Sequence, residues 1–198
     1  MTQAPKQNLP WLSPATVPQS LHTLGFSIEP LNERHAELDF KALMSCRVRL
    51  REELQWSEWP PEDFTLSLNW SDLREHHDEF LRGEAFAYTV LSSDRRSCRG
   101  CIYIERCHEI DGAQLAYWVV DDAIELEALL VAEVLRWIHQ TWRIDRVLLP
   151  LRDSNVRGIE LAQKCGLEVS NRFTDGPLSN HRCFLSDSGG RDRKEEDH

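Results

Sequence analysis

The residues of this chain best able to do chemistry are thiols, imidazoles and one guanidinium on an apolar stripe. Cys98-Arg99-Gly100-Cys101 has the C-x-x-C spacing that a zinc ion or a redox dithiol uses, and Cys107-His108 lies close behind. A redox pair belongs at a helix N-terminus that lowers the thiol pKa, whereas this pair straddles the start of a predicted hairpin strand. No second C-x-x-C completes a tetrahedral zinc set. The two read as incidental core thiols, and no metal is expected. Arg47 falls on one helical stripe with Phe40, Leu43, Leu50 and Leu54. A buried guanidinium there is costly without a partner, so it faces a pocket, or it snorkels past the core edge or pairs with a carboxylate. Trp56, Trp59 and Trp70 surround Pro60-Pro61 and suggest an aromatic wall beside the first two helices, with core packing as the plainer use of each ring. Arg47, Trp56 and Trp59 are the candidate substrate-binding residues. His76-His77 reads as solvated helix surface, and His181 and Cys183 as alternate positions of one strand. The nucleophile elbow, the glycine-rich phosphate loops and the H-E-x-x-H zinc pair are missing from the sequence, which removes most of the weight from those reaction classes.

The chain that must position these residues has 198 residues, 33 acidic against 23 basic, for a net charge of −10, and is 41% hydrophobic. This describes one soluble globular domain, long enough to bury a core without staples. The acid excess argues against nucleic acid as a partner, because phosphate contacts require concentrated Lys and Arg. Residues 1–20 lack a secretory signal, and no run approaches the roughly 18 apolar residues of a membrane span. A cytoplasmic protein with reduced cysteines and no membrane partner is expected. The Pro- and Gln-rich residues 1–20 and the charged residues 186–198 read as loose ends around a single domain at 21–185.

Leu24, Phe26 and Ile28 alternate as a half-buried strand ending at Pro30, and Asn32 opens a helix that runs to Leu54. A second helix spans about Leu66 to Arg82 and closes at Gly83. Three extended runs follow, Ala85 to Leu91, Gly100 to Glu105 and Ala113 to Val120, as an antiparallel meander. Asp121-Asp122 supplies an N-cap for an apolar helix from Ala123 to about Trp142. Val147-Leu148-Leu149 reads as a strand covered on both faces. Asp153-Ser154-Asn155 caps a helix ending at Cys165 and Gly166, and Leu167 to Phe173 and His181 to Leu185 are the last strands. The expected fold is α/β with a central mixed sheet in the order β-α-α-β-β-β-α-β-α-β-β.

The run from Val147 to Asn155, followed by Ile159, Leu161 and Lys164-Cys165-Gly166-Leu167-Glu168, resembles the closing segment of the GNAT superfamily of acyl-CoA-dependent N-acetyltransferases, and the element order over roughly residues 24–185 is similar to that superfamily's. The resemblance implies a GNAT-like mixed sheet whose fourth and fifth predicted strands splay apart. Acetyl-CoA would be the co-substrate, its pantetheine arm lying along the Trp118-Val119-Val120 backbone, with Asn155 as a further cofactor contact. An amine on a small molecule or peptide would attack the thioester, and a backbone N–H would stabilise the oxyanion. Near that cleft, Tyr117 and Glu105 are the candidate catalytic proton acceptors. The superfamily's Gln/Arg-x-x-Gly-x-Gly/Ala phosphate loop is replaced here by Asp121-Asp122-Ala123-Ile124-Glu125-Leu126-Glu127, which has no glycine and four carboxylates. Ala162 stands where many members carry a thiolate-protonating Tyr, and Leu167 where they carry Phe. The same resemblance admits a catalytically silent GNAT-fold module that binds a small molecule or a protein in that cleft.

Overall fold

The computed structural model describes residues 10–54, 59–170 and 178–188. Its elements in chain order are β1 (Leu21–His22), β2 (Phe26–Pro30), α1 (Ala36–Leu54), α2 (Leu66–Arg82), β3 (Ala85–Ser92), β4 (Cys98–Cys107), β5 (Gly112–Val119), α3 (Glu127–Trp137), β6 (Arg146–Arg152), α4 (Val156–Lys164), β7 (Glu168–Ser170) and β8 (His181–Asp187). They build one eight-stranded sheet in the order β1-β2-β3-β4-β5-β6-β8-β7. All neighbours are antiparallel except β5 and β6. This is the mixed α/β sheet the sequence predicts, with a short β1 added at its edge.

Local chemistry sets the helix ends. Asn32 accepts the Arg34 N–H at 3.2 Å and donates its own N–H to His35 Nδ1, starting the turn that leads into α1. Thr65 caps α2 by accepting from the Leu68 N–H, and Gly83 ends it at φ +70°, with its carbonyl accepting from the Trp11 N–H at 2.7 Å. A side chain at Gly83 would put its Cβ 2.1 Å from the Leu12 carbonyl oxygen, so only glycine closes this helix under the N-terminal segment.

Three expectations are corrected here. Residues 11–18 are not loose: Trp11 packs on Phe86, Val17 is buried, and the Tyr88 hydroxyl donates to the Pro18 carbonyl. The apolar residues among those prolines bury enough surface to hold the segment down. At the other end, Ser186 and Asp187 continue β8, opposite Val147 and Arg146. Asp121 and Asp122 make no helix cap; a short 3-10 turn over Asp121–Leu126 precedes α3, and a π-helical turn over Ile138–Trp142 follows it.

The core lies on both sheet faces, with α1 and α2 against one and α3 and α4 against the other. Phe80, Phe86, Tyr88, Trp137 and Trp142 form a chain of edge-to-face contacts at 5.1–5.6 Å that joins α2, the sheet and the end of α3. Each such pair adds roughly 0.5–1.5 kcal/mol beyond its area burial. No helix among the described residues is long and apolar enough to cross a membrane.

Candidate active site

β5 and β6 run side by side only at Ala113 with Val147 and at Gln114 with Leu148. Beyond those pairs β5 continues to Val119 beside β4, and β6 continues to Arg152 beside β8. The two strands therefore diverge, and a cleft of about 230 Å³ opens between Ala116 and Tyr117 on one side and Leu149 to Arg152 on the other, with Asn155 at its wall. A parallel pair that parts after two residues leaves strand-edge polar groups that must find other partners.

The chain's own ions take some of those groups. Arg49 of α1 donates from Nη2 to the Val119 carbonyl at 2.6 Å and from Nε to Asp121 at 2.6 Å, and it pairs with Glu53 one helical turn on. Glu53 also receives Arg157 of α4 through two nitrogens. Arg157 reaches on to Glu127, which is 2% exposed at the first position of α3. The Tyr117 hydroxyl donates to the other Glu127 oxygen at 3.0 Å. Arg99 holds Asp122 at 2.8 Å. Three guanidiniums and four carboxylates are thus paired with one another around the end of β5 and the start of α3, and the positive end of α3 already faces a carboxylate.

A second cavity, of about 450 Å³, lies between α2 and the face of β4 and β5. Asp72, Glu75, His76 and Glu79 enter it from one face of α2, spaced as a helix requires, and Trp59, Tyr103 and Glu105 form its other wall. Gln114 and Ala116 line both cavities, so the two meet over β5 where it leaves β6. Glu105 is solvent-exposed along the cavity, yet partial desolvation by the cavity walls, with the Glu79 carboxylate nearby, holds its carboxyl above the usual range. Burial likewise raises Asp72, against a hydrogen bond from Trp59 that lowers it.

The expected site residues fall unequally on this geometry. Glu105 and Trp59 line the acidic cavity, and Tyr117 and Asn155 line the cleft. Burial drives the Tyr117 phenol upward, so it keeps its proton and acts as a donor to Glu127 rather than a proton acceptor. Val119 offers its carbonyl to the cleft mouth, but the Val120 N–H is donated to the Arg99 carbonyl, and Trp118 is buried with its indole N–H on the Tyr103 hydroxyl. Arg47 binds the Glu62 carbonyl, tying α1 to the loop before α2, and lines neither cavity. Trp56 lies outside the described residues. Asn155 caps α4, accepting the Gly158 N–H at 2.8 Å. Asn155→Ala is expected to cost about 1 kcal/mol and lower the midpoint of thermal unfolding by roughly 2–4 °C; an unchanged melt would show that the cap is dispensable.

Arg49, Glu53, Arg157 and the acidic face of α2 escape sequence reasoning. The Arg49/Glu53 spacing of four and the recurring Asp72, Glu75, His76, Glu79 stripe were the available signals, but such patterns usually mark a solvated helix face.

The sequence matches no protein-family profile and no curated protein. Solved structures, in contrast, share its fold. The microcin C7 self-immunity acetyltransferase MccE, solved with acetyl-CoA and AMP, superposes with a TM-score of 0.71 over 87% of this chain and 98% of its own, at 11% identity. Mycobacterium smegmatis RimJ, solved with CoA-disulfide, gives 0.66 over 83% of each chain at 14% identity. The ribosomal-protein-S5-alanine acetyltransferase of Vibrio fischeri gives 0.66 over 86% of this chain and 97% of its own at 12% identity. The chain has the GNAT acetyltransferase fold.

Proposed function

We propose that the protein is a GNAT N-acetyltransferase that moves an acetyl group from acetyl-CoA to the amine of a small molecule or peptide. The observation that carries this reading is the meeting of two cavities over Gln114 and Ala116, one narrow and fit for a tether, the other acidic and fit for a cation. The four carboxylates around the wider cavity attract an ammonium group. Glu105, its carboxyl raised by its surroundings, is the group placed to take the ammonium proton. The thioester of acetyl-CoA supplies the reactive carbonyl: a C–N bond forms, the C–S bond breaks, and the second amine proton ends on the thiolate. Tyr117 stays protonated beside the cleft.

The cleft suits the tether better than it suits the diphosphate that follows it. Arg49, Arg99 and Arg157 are the cations a diphosphate needs, but each is held by Glu53, Asp121, Asp122 or Glu127. Like charges about 4 Å apart cost on the order of 4 kcal/mol at an effective dielectric of 20, so those carboxylates must give way or weaken binding. Glu53→Gln leaves Arg49 and Arg157 a neutral neighbour and is expected to tighten acetyl-CoA about tenfold, or roughly 1.4 kcal/mol. Thermal shift titration checks both points, since a ligand at 100 times its Kd stabilises by about 2.7 kcal/mol. No shift at millimolar acetyl-CoA in either protein would overturn the reading and leave the cleft as a silent binding module.

A further inference from the structure

We propose that Asp39, Cys98 and Cys101 form a binding site for a thiophilic divalent metal of the zinc class, with its fourth position open to a surface cavity. Residues three apart in a regular strand point to opposite faces of the sheet. Here β4 carries a bulge: Val90 pairs with Gly100 but Leu91 pairs with Cys98, so Arg99 is an extra residue and both thiols turn toward α1. Gly100 permits this, because a Cβ there would sit 2.0 Å from the Trp118 carbonyl oxygen. Asp39 points down from α1 onto the same spot, and all three side chains are at most 4% exposed.

The distances suit a metal. One Asp39 oxygen lies 3.2 Å from Cys101 Sγ and 4.0 Å from Cys98 Sγ, and the three donor atoms all lie within 4.8 Å of one another. A tetrahedral ion with bonds of about 2.3 Å to sulfur and 2.1 Å to oxygen needs S···O edges near 3.6 Å and an S···S edge near 3.8 Å. The observed pair of distances brackets that edge. Two sulfurs and one carboxylate favour zinc-like ions over calcium or magnesium. Thr89 Oγ1, 3.6 Å from Cys98 Sγ, supports the set from outside.

Access exists as well. Cys98 forms part of the wall of a cavity of about 390 Å³ between α1 and the Arg96–Arg99 segment, with Ala42, Ser45 and Asp121 around it. A metal at the three donors would present its free position there, to water or to a small ligand. Apolar side chains would fill this layer of the core at lower cost than an acid and two thiols brought together out of water. A metal binds thiolate rather than thiol, so binding releases thiol protons and uptake strengthens as pH rises.

The test is anaerobic Co²⁺ titration of the reduced full chain, followed by zinc K-edge absorption fine structure on the zinc-loaded protein. Expected are one Co²⁺ per chain with a thiolate-to-cobalt charge-transfer band, its displacement by zinc, and a zinc shell of two sulfurs and two lighter atoms. Asp39→Asn should weaken binding by at least the roughly 10–100-fold that outer-shell changes cost elsewhere, and Cys101→Ala should abolish the band. If a variant fails to fold, the sulfur count of the unaltered protein decides. No stoichiometric uptake, a shell without two sulfurs, or a Cys98–Cys101 disulfide in unreduced protein would overturn the proposal.

Discussion

Arg157→Met is expected to destabilise the fold by about 3 kcal/mol, visible as a drop of roughly 6–12 °C in thermal unfolding. Glu127 is almost wholly buried, and its ionic partner among the described residues is Arg157; the Tyr117 hydroxyl is left as its remaining support. Breaking a buried pair from one side strands a charge and costs about 3–5 kcal/mol, and the low end applies because Arg157 is itself 29% exposed. Adding Glu127→Gln to Arg157→Met should restore most of the loss, since the stranded charge disappears. A double variant no more stable than Arg157→Met alone would show that the cost lies in lost packing of the arginine stem.

Glu105→Gln should lower kcat for amine acetylation by about 10²–10⁴-fold while leaving thermal stability within about 0.5 kcal/mol, because the residue sits at the surface of its cavity. The sign of the pH dependence follows from its raised carboxyl. The base form is lost as pH falls, so kcat/KM rises with pH through a limb above the usual glutamate value of about 4.3. In Glu105→Gln that limb should vanish. A variant that keeps both rate and limb would move the proton acceptor elsewhere, with His76 the next group in the same cavity.

Much of the scaffold was legible because its signals are local. The period-2 runs, the caps at Asn32 and Asn155, and the glycines at 83 and 166 act within a few residues, so they fix element type and order directly. Local signals failed where burial is collective. Trp11 and Val17 lie in a proline-rich stretch that looks loose until the sheet and Phe86 are beneath it.

The site was legible only in part, and the reason is sequence separation. Of the candidate residues, Glu105, Trp59, Tyr117 and Asn155 line the two cavities, whereas Arg47 turns to the Glu62 carbonyl and Arg49, two positions along the same helix and without a signal of its own, reaches Val119. A helix turns about 200° in two residues, and which side meets the cleft depends on how α1 lies on the sheet. The Arg157 link to Glu53 spans 104 positions, and no spacing rule reaches across that distance.

By itself the sequence determined the element order, the acidic character of the segment before α3 and the absence of a glycine phosphate cradle, because these follow from residue type and neighbours along the chain. Only the tertiary structure decided that the acidic segment is answered by three arginines from α1, β4 and α4, and that Cys98 and Cys101 share a face with Asp39. The first outcome depends on helix docking and the second on one extra residue in a strand. Both are settled by packing between distant segments, where a single-residue shift reverses which side chains meet.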